Sequence, residues 1–318
     1  MKKILLGLMV LSTGAFALEL DMNTVELERG LQGFEIETNF YRENLNNKKD
    51  VFLPISEKYS LIRANNYFIN QTMEDDNTFR DNIYKSGYTY SGLNDSKSNG
   101  FNLMYAPLLD EEERAGINFN YSRLDSKYGN LDLKGDFYQL NLFYNKKDPS
   151  DLKEILWTGY LGASNEDNKS LDYKTRFIGF YGKYTQQIET YYDDFIPKIY
   201  VEADLKRLQS KFKDEKTEKK NNDSIDLGAG FEVSKIVYYE GLKVSLTPII
   251  GYNHEFLKNR IYNYKGIKDQ FQDEAKAGME IKFEYEEITK LFARYEVKKS
   301  LNTSNYDNVV TVGFKVMI

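Results

Sequence analysis

The chain has 318 residues, in which 43 Lys and Arg stand against 49 Asp and Glu, with a pI near 5.2. This acidic balance argues against a general nucleic-acid-binding protein, which would carry a basic face. Because the chain has no cysteine and one histidine, disulfides, cysteine nucleophiles and multi-histidine metal sites are excluded, and we expect no cofactor. The mean hydropathy of −0.61 is hydrophilic, yet 26 Tyr and 20 Phe are too many aromatic residues for a disordered polypeptide.

The first 17 residues have the features of a secretory signal peptide. Lys2 and Lys3 form a basic start, residues 4–11 are apolar, and AFA at residues 15–17 fits a cleavage site between small residues. The alternative is a transmembrane anchor, but the apolar run is shorter than the roughly 20 residues that span a bilayer. We therefore expect residues 1–17 to be removed after export.

Residues 18–77 form a segment whose pattern differs from that of the rest of the chain. Residues 27–31 are helix-like, and residues 33–41 could form a strand. Residues 60–74 (SLIRANNYFINQTME) have only a loose helical spacing. Three arrangements are open for this segment: a plug, a helix through a pore, or two additional strands.

Residues 78–318 break into segments in which apolar and polar residues alternate. A period of two places successive side chains on opposite faces of a sheet. The last segment alternates to the chain end through Val310, Val312, Phe314, Val316 and Ile318. The opposite, polar face is densely charged near the C-terminus, at Lys276, Glu280, Lys282, Glu284, Lys290, Arg294, Glu296, Lys298 and Lys315.

Two folds explain one apolar and one charged face: a soluble β-sandwich, or a barrel in lipid with its polar face inside. Three features favour the barrel. The segments are longer than the usual strand of about 5–6 residues. Tyrosines lie near segment ends, as in membrane-interface girdles. Connections are very short at residues 239–241 and 286–287 but long at 209–224 and 257–269, which matches alternating short turns and long external loops.

Twelve alternating segments can be counted backward from the C-terminus, and an even number places both barrel ends on one side of the membrane. The sequence therefore predicts an all-β protein: a transmembrane, antiparallel, up-and-down barrel of about 12 strands over residues 78–318. Two further strands in residues 18–77 would make 14. A short N-terminal segment that is helical in the pore is the other possibility.

From about residue 70 onward the chain resembles the β-domain of autotransporters, bacterial secretion proteins with a C-terminal outer-membrane barrel. The matching pieces are LTPIIGY at 246–252, AGME at 277–280, LFARYE at 291–296 and VGFKV at 312–316. The resemblance implies a helix in the pore, for which residues 60–74 stand in the matching place. It also makes the alternating residues from Val310 to Ile318 the signal for barrel assembly.

For the function, the resemblance implies a monomeric barrel in the outer membrane of a Gram-negative-type bacterium. Its partners would be outer-membrane lipid, the barrel-assembly machinery and periplasmic chaperones, with no nucleic acid. Two features depart from the family: only residues 18–77 precede the barrel, and the chain ends in Ile318 instead of an aromatic residue. We expect translocation or display of the short N-terminal segment. The alternative is a stand-alone pore or adhesin without a passenger.

Three candidate sites remain. His254 could act as a base in a barrel enzyme, but we expect a polar residue at a loop edge and no enzymatic activity. Asn65 and Asn66 resemble the asparagine pair at which some autotransporters cut their own linker, although the pair also occurs at 46–47 and 221–222. The inward charges could set ion selectivity, but we expect them to neutralise one another.

Overall fold

The computed structural model describes residues 55–70, 82–93, 96–128, 131–148, 150, 152–168, 171–192, 194–212, 220–256, 273–285, 289–301 and 306–317. The predicted signal peptide, the patterns at residues 27–41, the asparagine pair at 46–47, residues 71–74 and Ile318 lie outside these residues. Within them, one helix, α1 (Ile55–Asn70), precedes twelve strands. The strands are β1 (Ile83–Leu93), β2 (Ser96–Ala106), β3 (Glu113–Tyr128), β4 (Leu131–Asp148), β5 (Lys153–Asn168), β6 (Leu171–Gln187), β7 (Phe195–Phe212), β8 (Lys220–Tyr239), β9 (Leu242–Glu255), β10 (Asp273–Tyr285), β11 (Thr289–Ser300) and β12 (Tyr306–Met317).

The strands form a closed antiparallel barrel in which each strand pairs with its neighbours in sequence. β1 and β12 close the ring along their length, from Ile83↔Met317 to Leu93↔Asp307. Closure pairs the backbone groups around the ring, which a hydrocarbon environment requires. The twelve-strand prediction is confirmed. The fourteen-strand alternative is wrong, because the direct pairing of β1 with β12 leaves no gap for further strands.

The two faces of the barrel differ as the alternation predicted. On β11, Leu291 and Tyr295 point outward and are about half exposed, whereas Lys290, Arg294 and Glu296 point inward and are buried. The 12 residues of β12 at about 3.3 Å each and a tilt of ~40° rise roughly 30 Å, the thickness of a hydrocarbon core. None of the described helices is long and apolar enough to cross a membrane.

The barrel has two ends, which we call the near rim and the far rim. The near rim holds the start of β1 and the end of β12, and its connections are residues 107–112, 149–152, 188–194, 240–241 and 286–288. Exposed tyrosines line this rim, among them Tyr191, Tyr192, Tyr238, Tyr239 and Tyr285. The turn at Glu240 and Gly241 has φ of 46° and 83°, as a tight two-residue hairpin requires.

The expected sorting of loops by length holds only in the second half of the barrel. The connections after β7 and β9, at the far rim, span residues 213–219 and 256–272, but those after β1, β3 and β5 have two residues each. The physical reason is that β3 to β8 have 16 to 20 residues and continue as paired strands where the sequence pattern predicted loops.

Candidate functional site

The helix α1 lies inside the barrel. Asn65 donates a hydrogen bond from Nδ2 to Gln139 Oε1 on β4 at 2.8 Å, and Arg63 bonds Glu274 on β10. β4 and β10 are on opposite sides of the twelve-strand ring, so a helix that contacts both must occupy the lumen. The prediction of a helical segment in the pore is confirmed, although the helix begins at Ile55 instead of near residue 60.

The helix runs from the far rim to the near rim. Near its N-terminus, Lys58 forms a buried ion pair with Glu166, two residues from the far end of β5. Near its C-terminus, the carbonyl of Phe68 accepts a hydrogen bond from Lys85 Nζ at 2.7 Å, and Lys85 is two residues from the near end of β1. A cation suits this end because the helix dipole is negative there. The chain that precedes Ile55 therefore joins the helix at its far-rim end.

Arg63 bonds two carboxylates of the barrel wall. Its Nη1 donates to both carboxylate oxygens of Glu274, at 2.7 and 2.5 Å, and its Nη2 donates to Asp226 Oδ2 at 2.9 Å. Asp226 is also paired with Lys206, which bonds Asp204 at 2.9 Å. Because the two terminal nitrogens of the guanidinium bond carboxylates on different strands, Arg63 ties the helix to β8 and β10 together.

Tyr67, one turn further, joins a second polar cluster. Lys276 Nζ donates to Tyr67 Oη and to Glu202 Oε1, each at 3.0 Å, and Tyr181 donates to Glu202 Oε2 at 2.9 Å. The ring of Tyr67 is contacted by three cations at 4.9 to 5.1 Å from its centroid, namely Lys276, Arg294 and Lys298. Cations over an aromatic face are attracted to it, so Tyr67 adds to the ion pairs that these cations make with Glu202 and Glu296.

Phe68 packs where the helix approaches the wall most closely. Its ring centroid is 6.0 Å from that of Phe292, and Lys85 Nζ lies 4.2 and 4.1 Å from the two centroids. Gly87 makes room for it, because a Cβ there would be 2.6 Å from Phe68 Cε2 and 2.6 Å from the carbonyl oxygen of Val312. The absence of a side chain at position 87 allows the helix to seat.

The asparagine pair is buried in the lumen. Asn65 bonds Gln139 through Nδ2, whereas both amide atoms of Asn66 lack a hydrogen-bond partner among the described residues. Asn66 faces a cavity of about 10 Å³, the room that one water needs. Other lining residues include Glu202, Asp204 and Asp226. An unsatisfied amide beside three carboxylates is unusual, because buried polar groups are nearly always bonded.

The structure places all nine charges named from the sequence inside the barrel, each at most 9% exposed. Several pair with one another, as Lys282 with Glu280 at 2.8 Å and Arg294 with Glu296 at 2.7 Å. Such pairing is what mutual neutralisation requires. Neutralisation stays the prediction for these charges, and ion selectivity stays the alternative. The sequence reasoning missed the charges on β7 and β8, among them Glu202 and Asp226, although they alternate in the same way.

The remaining candidates lie on the outside of the barrel. His254 Nδ1 is 2.7 Å from Asp273 Oδ1 at the far rim, and its ring meets Phe256 edge-on. No group of metal-binding side chains occurs in the part of the chain that the structure describes, and the expected lack of enzymatic activity stays a prediction. Along β12, the residues of the expected assembly signal face outward: Val310 and Val316 are half-buried, and Val312 and Phe314 are exposed.

Comparison with known proteins identifies the fold. No family model and no curated protein matches the sequence. Among solved structures, the β domain of the Bordetella autotransporter BrkA has a TM-score of 0.58 at 12% identity, over 75% of this chain and 99% of that one. The translocator domain of the autotransporter NalP from Neisseria meningitidis has a TM-score of 0.60 at 12% identity, over 83% and 97%. The chain thus has the twelve-strand barrel fold of autotransporter β-domains.

Proposed function

We propose that this protein is an outer-membrane barrel that translocates its own N-terminal segment and displays it at the cell surface. The observation that carries the proposal is the direction of α1: its N-terminus points to the far rim, while both ends of the barrel lie at the near rim. The similarity in fold to the translocator domain of NalP supports it.

The membrane topology follows from how such barrels reach the membrane. A chain exported to the periplasm inserts with both barrel ends on the periplasmic side, so the near rim faces the periplasm and the far rim the exterior. The apolar outer face contacts lipid. Residues 18–54 are attached to the far-rim end of α1, and the proposal places them outside the cell. The assembly machinery and periplasmic chaperones are the partners this route needs, and the barrel acts as a monomer.

An epitope tag after Leu18 tests this topology in intact cells. The tag should be labelled by antibody and removed by added protease, because it lies beyond the far rim. A matched tag in the near-rim turn at residues 107–112 should be labelled only after the outer membrane is opened. Heat modifiability on gels checks that both tagged barrels fold. A tag after Leu18 that stays inaccessible in a folded barrel would refute display.

A second candidate activity, self-cleavage after Asn66, is favoured by the cavity beside this residue. Asn66 Nδ2 would attack the carbonyl carbon of Asn66, form the C–N bond of a succinimide and break the peptide bond to Tyr67. The proton that Nδ2 loses would pass through a carboxylate of the cavity, such as Asp204, to the departing amine of Tyr67. The burial of the unpaired amide next to Glu202, Asp204 and Asp226 supports this chemistry.

Mass spectrometry of the barrel isolated from membranes tests the cleavage. The reaction predicts a fragment that begins at Tyr67, which Asn66→Gln should abolish and the neighbouring control Asn65→Gln should retain. A barrel that is recovered only with residues 18–66 still attached would refute self-cleavage and leave display intact.

A further inference from the structure

Two cations on the outer face of the barrel, Lys174 and Arg176 of β6, point away from the lumen near the far rim and are exposed. We call them the far-rim cations. Neither side chain forms an ion pair or a hydrogen bond within the part of the chain that the structure describes. Exposed lysines near the other rim differ, because they are paired with carboxylates: Lys146 with Glu113 and Lys235 with Asp194.

The strands beside the far-rim cations offer no carboxylate to either of them. The four residues directly opposite on β5 and β7 are Ala163, Asn165, Gln209 and Lys211. The nearest acidic residue on β6 is Asp172, which is two residues from Lys174 and forms no ion pair with it. On β7, Arg207 is diagonal to Arg176 and is paired with Asp223. The charge of the far-rim cations is therefore not neutralised by these strands.

The far-rim cations lie where the apolar outer face of the barrel ends. Toward the near rim, the next outward residues of β6 are Ile178 and Phe180, and those of β5 are Ala163 and Leu161. Toward the far rim, both strands continue with polar outward residues. Because the apolar stretch lies in the hydrocarbon core, Arg176 and Lys174 are the first side chains of β6 at the level of the lipid headgroups.

The connections at the two rims differ in charge, which indicates the kind of headgroup. In the amino-acid sequence, the five near-rim connections contain ten acidic residues and no basic one. The far-rim connections contain eight basic and five acidic residues, in residues 94–95, 129–130, 169–170, 213–219, 256–272 and 301–305. An anionic headgroup is therefore attracted to the far rim and repelled by the near rim.

We propose that the far-rim cations bind a phosphate of the phosphorylated glycolipid that forms the outer leaflet of a Gram-negative outer membrane. The inference rests on the orientation proposed above, in which the far rim faces the exterior, and it adds a lipid ligand to that function. The forked donors of Arg176 match a phosphate, and Lys174 adds a second positive charge beside it. The exposed amide of Asn165, opposite Lys174, offers a donor and an acceptor to sugar hydroxyls.

The test measures the affinity of the full-length barrel, purified in detergent, for lipid A by titration in native mass spectrometry. Lys174→Gln with Arg176→Gln should weaken binding about 25-fold, because each basic residue near a charged membrane surface contributes about fivefold. The control is Lys146→Gln with Lys235→Gln, which removes two exposed lysines near the other rim and should leave the affinity unchanged. Exchanging the cations, with Lys174→Arg and Arg176→Lys, should retain most of the affinity. Heat modifiability reports whether each barrel has folded.

Two further lipids identify the group that is bound. Lipid A without its phosphates should bind the unaltered protein as weakly as intact lipid A binds the double glutamine variant. Phosphatidylglycerol should bind more weakly than lipid A, and equal binding would overturn the assignment to a glycolipid. If the double glutamine variant keeps full affinity, or if the near-rim control loses as much, the site itself is overturned. These affinities do not depend on translocation, so an inaccessible tag after Leu18 would refute display and leave this result as it stands.

Discussion

The contact between Arg63 and the barrel wall makes a quantitative prediction about the open state of the lumen. Replacing Arg63 by Ala removes a guanidinium that is 11% exposed and leaves two carboxylates, Asp226 and Glu274, that are 3% exposed. Removing one partner of a buried ion pair costs about 3–5 kcal/mol. Because Lys206 still contacts Asp226, we take the lower value of about 3 kcal/mol.

This free energy acts on the equilibrium between the seated and the withdrawn helix. A change of about 1.4 kcal/mol shifts an equilibrium tenfold, so Arg63→Ala should raise the population of the withdrawn state roughly a hundredfold. In a planar bilayer, the fraction of time that a single barrel conducts ions measures this population directly. Arg63→Lys keeps the charge but has one nitrogen in place of the two that bond Glu274 and Asp226, and should give an intermediate open fraction.

The control removes an ion pair between an arginine and a carboxylate on the outside of the same barrel. Arg207 contacts Asp223 through Nε at 2.7 Å and Nη2 at 3.0 Å, and both side chains are at least 25% exposed. Exposed pairs contribute about 0–1 kcal/mol, so Arg207→Ala should leave the open fraction nearly unchanged. An open fraction of Arg63→Ala within twofold of the unaltered protein would refute the reasoning, as would an equal rise in Arg207→Ala.

Three further predictions concern the seating of the helix and the near rim. Gly87→Ala places a Cβ 2.6 Å from Phe68 Cε2 and should raise the open fraction in the same recordings. The control is Gly92→Ala, whose Cβ meets only the side chain of Tyr90, at 3.1 Å or more, and which should leave the open fraction unchanged. Raising the salt concentration from 0.1 to about 1 M shortens the screening length from about 10 to 3 Å, but pairs as buried as those of Arg63 are screened much less than exposed ones. The open fraction should therefore rise only slightly, and a steep rise would mean that exposed charges hold the helix. In the near-rim connection at residues 188–194, the hydrogen bond from Lys235 lowers the pKa of Asp194. This bond therefore stabilises the folded protein above the pKa that Asp194 has in the unfolded chain, and the stabilisation is lost as the pH falls through the lowered pKa of the folded state. The unfolding temperatures of Asp194→Asn and the unaltered protein should converge in acid.

The sequence predicted the barrel well because the side chains that face lipid on each strand are apolar, which produces a period of two in hydrophobicity. The alternating segments that the sequence predicts at 241–257 and 271–285 differ by at most two residues at each end from β9 (Leu242–Glu255) and β10 (Asp273–Tyr285). The segment at 135–146 falls four residues short of the far end of β4 at Leu131. Beyond the lipid the outer face becomes polar, as at Lys134, which is exposed. The period of two in hydrophobicity then disappears although the strand continues.

The interior was harder to predict because its contacts depend on how one helix is rotated inside a ring. Arg63 and Glu274 are 211 residues apart in the chain, and nothing in either local pattern selects the other as a partner. The helix itself gave a weak signal, because it buries apolar and polar residues alike. Leu61 and Phe68 are fully buried, and so are Lys58 and Asn65. An amphipathic stripe is expected only where one side of a helix faces water, and the lumen wall surrounds this helix.

The mixed character of this interior bears on the proposed function. The lumen wall also carries buried apolar side chains, among them Phe137, Phe177 and Leu208, so apolar packing and charge both hold the helix. A helix held by charges meets further partners as it slides, because inward charges line the wall from Lys85 at one rim to Glu274 at the other. Water that enters the lumen also solvates charges left behind, which lowers the barrier to withdrawal. The polar lumen is therefore suited to a segment that passes through the barrel and then stays, and the close fit of Phe68 against Gly87 supplies the point at which it stops.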